Sequence, residues 1–185
     1  MFRPVLISPP SQTPVTLEEV KAQAVVDFGD DDALLTTLLE AAVSHLDGFA
    51  GVLGRAMVTQ TWRVQHSRWS RDIHLPVPDV SAVAITYADT DGDEQTVAPE
   101  HIRIYPTATG TMVQIRSAFD LPALEADNIA PISLDFTCGF GGASDVPAAL
   151  KLAVKSLAAA WYEDRTQASP IAVSSLIQPY RWTKV

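Results

Sequence analysis

Apolar residues recur at three- and four-residue steps near both ends of this chain, and at two-residue steps between them. Leu35, Leu38, Leu39, Ala42, Leu46, Phe49 and Leu53 make one stripe, which predicts a helix over roughly 31–53 that Gly54 ends. Ahead of it, Thr16-Leu17-Glu18-Glu19 reads as a capping box: the Thr16 hydroxyl accepts from the Glu19 amide and the Glu19 carboxylate accepts in return. That first helix is expected to run to about Val26, where Asp27-Phe28-Gly29-Asp30 breaks it. Asp31 or Asp32 is expected to cap the second helix, where a carboxylate also favours the positive end of the dipole.

From Met57 the period is two. Val58, Trp62 and Val64 alternate with Thr59, Thr61, Arg63 and Gln65, as in a half-buried strand. A short strand follows in DIHLPVP, stopped by Pro76 and Pro78, and then Val83, Ile85 and Tyr87 share one face of another. Asp91-Gly92 is a two-residue hairpin signal, and further strands are expected near 101–105, 111–116 and 132–137. The helical period returns with Leu150, Val154, Leu157 and Trp161. The pattern therefore predicts an α+β fold: a helical bundle of two N-terminal helices plus a C-terminal helix, with an inserted antiparallel β-rich subdomain. The expected boundaries are an extended arm over 1–14, a helical body over 15–56 and 143–165, the β insertion over 57–142 and a tail over 166–185.

Composition narrows the functions open to such a fold. Of the 185 residues 47% are hydrophobic and 19% charged, which predicts a packed core rather than disorder. The formal net charge of −9 argues against a DNA binder that neutralises phosphates with clustered Lys and Arg. It suits a surface that DNA passes without adhering. Cys138 is the only cysteine, so no intrachain disulfide or CxxC site is possible, and a buried, unreactive thiol is expected. The N-terminal stretch is broken by prolines where a signal peptide needs an unbroken apolar core. No stretch approaches the ~20 apolar residues that span a bilayer. A soluble protein made in a reducing compartment is expected.

Candidate chemistry is sparse. The run FTCGFGGASDVPAALK has the strand–glycine–helix layout of a phosphate-binding loop, but no Gly-Lys-Ser/Thr follows, and Lys151 lies a turn inside the helix. The glycines are expected to turn the chain at positive φ, with Ser144 or Asp145 capping the helix and Pro147 in its first turn. His45, His66, His74 and His101 lack metal-ligand spacing, and no Gly-x-Ser-x-Gly elbow is present. Asp89, Asp91 and Asp93 alternate and Glu100 stands twelfth, as in an EF-hand loop. The sixth position is Glu94 instead of glycine and strands flank the loop, so a solvated hairpin tip is expected. No catalytic, cofactor-binding or metal-binding residue is assigned. Tyr180 and Trp182, flanking Arg181 in a polar tail, have no local core to join in the sequence; they dock onto another subunit or fold back.

The chain resembles the head–tail connector (adaptor) proteins of long-tailed bacteriophages and gene transfer agents, and more closely those with a β insertion. The resemblance is carried, in order, by TLEEVKAQAVVDFGDDDALLTTLLEAAVSHLDGFAG, GRAMVTQTWRV, IHLPVPDVSAVAITYADTDGDEQTV, FTCGFGGASDVPAALKLAVKSLAAAWYEDR and PYRW, which together span about 16–182. The proline-bearing arm is longer than is usual there, and Asp164 stands where the family usually has Asn. What the resemblance implies is a structural, non-enzymatic virion protein: a homo-oligomeric ring of roughly twelve copies under the portal, extending the DNA channel and joining the capsid to the stopper or tail. The implied partners are further copies of itself, the portal protein and a stopper or tail protein, with DNA passing through without sequence-specific binding; no cofactor and no membrane is implied. The implied location is the head–tail junction of the particle, after synthesis in the bacterial cytoplasm. Tyr180, Arg181 and Trp182 are then expected to dock on the portal or a neighbour, and Leu35, Leu38 and Leu46 to line the ring interface. The alternatives are a tail-completion or stopper ring protein, which would be β-rich throughout, and a small metal-dependent hydrolase using His66, His74 and the acidic hairpin.

Overall fold

A computed structural model describes residues 2–164 and 171–182 of the chain. It has the α+β composition expected from the pattern, with four α-helices and two antiparallel sheets among the described residues. The chain divides into two compact units, one formed by 2–9 with 59–139 and the other by 10–58 with the described part of 140–182.

The helical unit contains α1 (Leu17–Ala24), α2 (Asp32–Leu46), α3 (Ala148–Glu163) and α4 (Ile171–Ile177). The capping box of α1 is formed as expected, with the Glu19 amide donating to Thr16 Oγ1 at 3.2 Å and the Thr16 amide to Glu19 Oε2 at 2.8 Å. Leu35, Leu39, Ala42 and Leu46 of α2 bury against Leu150, Val154 and Leu157 of α3, and Val20 of α1 joins the same cluster. Trp161 lies only half-buried at its edge, with its ring edge-on to His45.

Three expectations are corrected here. First, α2 stops at Leu46 rather than near 53. Asp47 turns extended and Gly48 takes φ 78°, and Asp47 Oδ1 accepts from the Met57 amide at 2.6 Å. The chain then doubles back, with Leu53 N–H donating to the Leu46 carbonyl at 3.0 Å, so Leu53 stays in the apolar stripe without being helical. Second, Asp31 stands at the N-cap of α2 and Asp32 in its first turn, as expected, but no side-chain capping bond forms. The Asp31 carboxylate instead accepts from the Tyr162 hydroxyl, and Asp32 from Lys21 Nζ at 2.6 Å, a bond that raises the Lys21 pKa. Third, Pro147 precedes α3 rather than entering it. Asp145 closes the short 3₁₀ turn Ala143–Asp145 by accepting from the Gly142 amide at 2.8 Å. The glycine turn itself is as expected, with Gly139 at φ 130° and Gly141 at φ 132°.

The β unit holds β1 (Val5–Ser8), β2 (Gln60–His66), β3 (Asp72–Leu75), β4 (Val80–Ala88), β5 (Glu94–Thr96), β6 (Ile102–Thr107), β7 (Gly110–Ile115) and β8 (Ile132–Cys138). A five-stranded sheet has the order β1-β2-β8-β4-β5, and a three-stranded sheet the order β3-β7-β6. Val64, Leu134 and Ile85 lie opposite one another across β2, β8 and β4, all buried, which is what a period of two produces when one face is covered. On the other face, Arg63 and Asp135 stand opposite each other in a bidentate ion pair at 2.6 and 2.7 Å. Cys138 is buried, as expected. The β4–β5 connection is a five-residue loop over 89–93 rather than the two-residue hairpin expected from Asp91-Gly92.

Candidate docking surfaces

The C-terminal segment returns to the helical unit's own core. Val173 and Ile177 of α4 are buried, and the turn Gln178–Tyr180 follows directly. Tyr180 lies edge-on to Phe140 at 6.5 Å, and the Arg55 guanidinium sits 4.3 Å above the Phe140 ring. Trp182 N–H donates to the Leu53 carbonyl at 2.7 Å. The approach is tight because Gly54, at φ 66°, leaves room where a Cβ would meet the Trp182 carbonyl oxygen at 2.4 Å. Tyr180 therefore packs against its own chain's core and the Trp182 backbone is tied to Leu53, which is the fold-back alternative of the sequence reading. Arg181, between them, is exposed.

The residues expected at the ring interface divide in two. Leu35 and Leu46 retain essentially no exposed surface, 0% and 1%, so neither can meet a neighbour without unfolding its own unit. Leu38 is half-buried at the edge of the same core. Along α2 the outward side chains include Leu34, Thr37, Glu40 and Ala41.

The residues weighed for chemistry fall into separate structural tasks. His66 and His74 line one open cavity of about 660 Å³ together with Arg68, Trp69 and Asp72, and none of the acids at 89–93 lines it. Burial of His66 pushes its pKa below the ordinary value, and His74 Nε2 lies 2.9 Å from Thr109 Oγ1. His101 lies apart from this cavity's lining, against the Phe119 ring. Asp89 accepts from the amides of Asp91 and Asp93 at 3.0 and 3.1 Å and from Gln95 Nε2 at 2.9 Å. Those bonds, Gln95's foremost, hold its carboxyl below the usual range, and they shape the loop. Among the described residues no group of three or more His, Cys, Asp or Glu is placed to hold a metal ion.

Comparison with solved structures then decides the kinship. The whole chain superposes on a chain in the neck of an empty gene transfer agent particle, with a TM-score of 0.77, 26% identity and 97% of that chain covered. Similar matches are to a chain in a native gene transfer agent virion (TM-score 0.77, 28% identity) and to one in a native particle neck (TM-score 0.75, 26% identity). The chain is a structural relative of gene-transfer-agent neck proteins. The likeness covers 100% of this chain, so both the helical and the β unit of a neck protein are present, and the connector resemblance read from the sequence is shown. The two neck structures were computed with sixfold and twelvefold cyclic symmetry. No protein-family model matches the chain, and no curated protein matches it either. No helix among the described residues is long and apolar enough to cross a membrane.

Proposed function

We propose that this chain is a head–tail connector: a structural, non-enzymatic protein that forms a ring of roughly twelve copies beneath a portal and passes the DNA channel on to a stopper or tail protein. The observation that carries the reading is the likeness to neck chains over the full length of both partners, 100% of this chain and 97% of the other. The helical body of α1, α2 and α3 favours the adaptor over a stopper ring. Fold alone would be thin support for function, and the surface chemistry agrees with it. The net charge of −9, repeated around a ring, disfavours adhesion of passing DNA.

The docking element is the C-terminal segment, with Arg181 as its free anchor and Tyr180 and Trp182 holding it against the body. The test is pull-down of purified portal from the same genome by the full chain, its Arg181→Glu variant and a chain ending at Gln178. Binding by the full chain, lost in both variants while Arg181→Glu unfolds at the same urea concentration as the parent, supports the docking role. Full binding by both variants removes the segment from the interface. Absence of the chain's peptides from purified particles removes the connector reading altogether.

A further inference from the structure

We propose that the free edge of β1 pairs with the free edge of β5 on a second copy of this chain, as one of the contacts that join neighbours in the ring; the proposal rests on the connector reading. The two strands are the opposite edges of the five-stranded sheet, and among the described residues each offers a row of backbone groups with no strand on its outer side.

The edges are treated differently. Natural sheets protect an edge from unwanted pairing with charge, and β5 is so protected: Glu94, Gln95 and Thr96 are all exposed, next to exposed Asp91 and Asp93. On β1 the exposed side chains are apolar on both faces, with Val5 at 59%, Leu6 at 40% and Ile7 at 43%. Exposed apolar groups on a bare edge mark a surface made to be covered. Pro4, Pro9 and a register break between Leu6 and Ser8 confine pairing to this short stretch, so it does not template unlimited growth.

Three observations identify the occupant as a second copy. Exposed Arg3 lies beside β1, and the acids of the 91–94 segment lie beside β5, so unlike edges attract and like edges repel. Every neighbouring pair in the sheet is antiparallel, so β1 and β5 run in the same direction, and joining them across copies makes a parallel, head-to-tail contact. Such heterologous contacts close by rotation, whereas β1 against β1 would be a two-fold contact between adjacent copies, which a cyclic ring lacks. The size of such a ring follows from the strand spacing. At ~4.8 Å per strand, five strands occupy about 24 Å of circumference, and twelve copies close at a diameter of about 90 Å, more with tilted strands. A contact of three or four residues is weak alone and acts through repetition around the ring.

The test is thiol trapping of full-length chains. Ser8 and Thr96 are exposed at the same ends of the two strands, and the native Cys138 is buried. When Ser8→Cys and Thr96→Cys chains are mixed at high concentration under mild oxidation, the mixed disulfide dimer is expected in at least tenfold excess over either homodimer. A chain bearing both substitutions should give a ladder of oligomers. Arg3→Glu in the first chain should abolish the mixed dimer, and Glu94→Arg in the second should restore it. Dominant Ser8→Cys homodimers, a stronger product between Ser8→Cys and Glu94→Cys chains, or no mixed dimer at any concentration each overturn the proposal. Peptide mass spectrometry of purified particles separates the two claims. A chain present in particles but never trapped edge to edge defeats this contact alone, whereas a chain absent from particles defeats the connector reading even where mixed dimers form.

Discussion

Gly54→Ala tests whether the C-terminal segment is held by the geometry described. The backbone at this position has φ 66°, where an L side chain with a Cβ costs about 1–2 kcal/mol. The new Cβ would also stand 2.4 Å from the Trp182 carbonyl oxygen, a backbone atom that cannot swing aside as a side-chain tip can. The segment must therefore retreat, and the first bond it loses is Trp182 N–H to the Leu53 carbonyl at 2.7 Å, worth about 1 kcal/mol net. The expected total is about 2–3 kcal/mol, of which roughly the first half is local strain and the second is the displaced segment.

A double-mutant cycle separates the two parts. The second perturbation is a chain ending at Arg181, which lacks the obstructing carbonyl. Urea unfolding followed by ellipticity at 222 nm reports the helical unit, and linear extrapolation gives each free energy. In the full chain Gly54→Ala should cost about 2–3 kcal/mol, and in the shortened chain only the strain of about 1–2 kcal/mol. An equal cost in both backgrounds would refute the claim that Trp182 is seated over Gly54, leaving only the turn itself in need of glycine.

Other predictions follow from burial and bonding. Leu35→Ala removes a fully buried side chain between α2 and α3 and should cost about 3 kcal/mol by urea unfolding, whereas Leu34→Ala, on the exposed face of the same helix, should stay within about 0.5 kcal/mol. Asp47→Ala leaves the amide of buried Met57 without its acceptor and should cost about 2 kcal/mol; Asp47→Asn, which keeps a carbonyl oxygen, should recover most of it. His66 has a folded pKa lowered by burial, so between that value and about 6.5 the unfolded chain binds the extra proton. Stability is therefore full above about pH 6.5 and declines as pH falls toward the lowered value, and a pH series of thermal unfolding should be flatter for His66→Gln.

Local rules were legible from the residues alone. The capping box at Thr16–Glu19 involves four consecutive residues, and both of its bonds are present. The two-residue alternation of β2, β4 and β8 reports a sheet with one covered face, and Val64, Ile85 and Leu134 lie on it. Where the reading failed, a distant partner had intervened. The Asp31 carboxylate is drawn from its expected capping bond by Tyr162, 131 residues away in sequence, and that of Asp32 by Lys21. Strand β1 lies within the expected extended arm, and its pairing with β2 was not read because four residues between prolines carry no periodicity of their own. The helix α4 lies within the expected tail; Ser169-Pro170 followed by Val173, Leu176 and Ile177 was the available signal, an N-terminal proline before three- and four-residue apolar steps.

The proposed ring contact shows most clearly what periodicity conveys and what it omits. An apolar stripe such as Leu35–Leu46 states that one helix face is covered, but not whether the cover is the same chain or the next. Here α3 and α1 cover Leu35 and Leu46 fully, while Leu38 stays half-buried at the edge. An interface must be sought in the opposite signal: apolar groups left exposed where the elements' own pairing rules would bury them. Strand β1 satisfies that condition: Val5, Leu6 and Ile7 are exposed, and among the described residues it has a single neighbouring strand. Under the proposed pairing, the acidic edge at β5 is the complementary half of that contact. Under the proposed pairing, unlike edges that repel their own kind give the ring a direction of assembly.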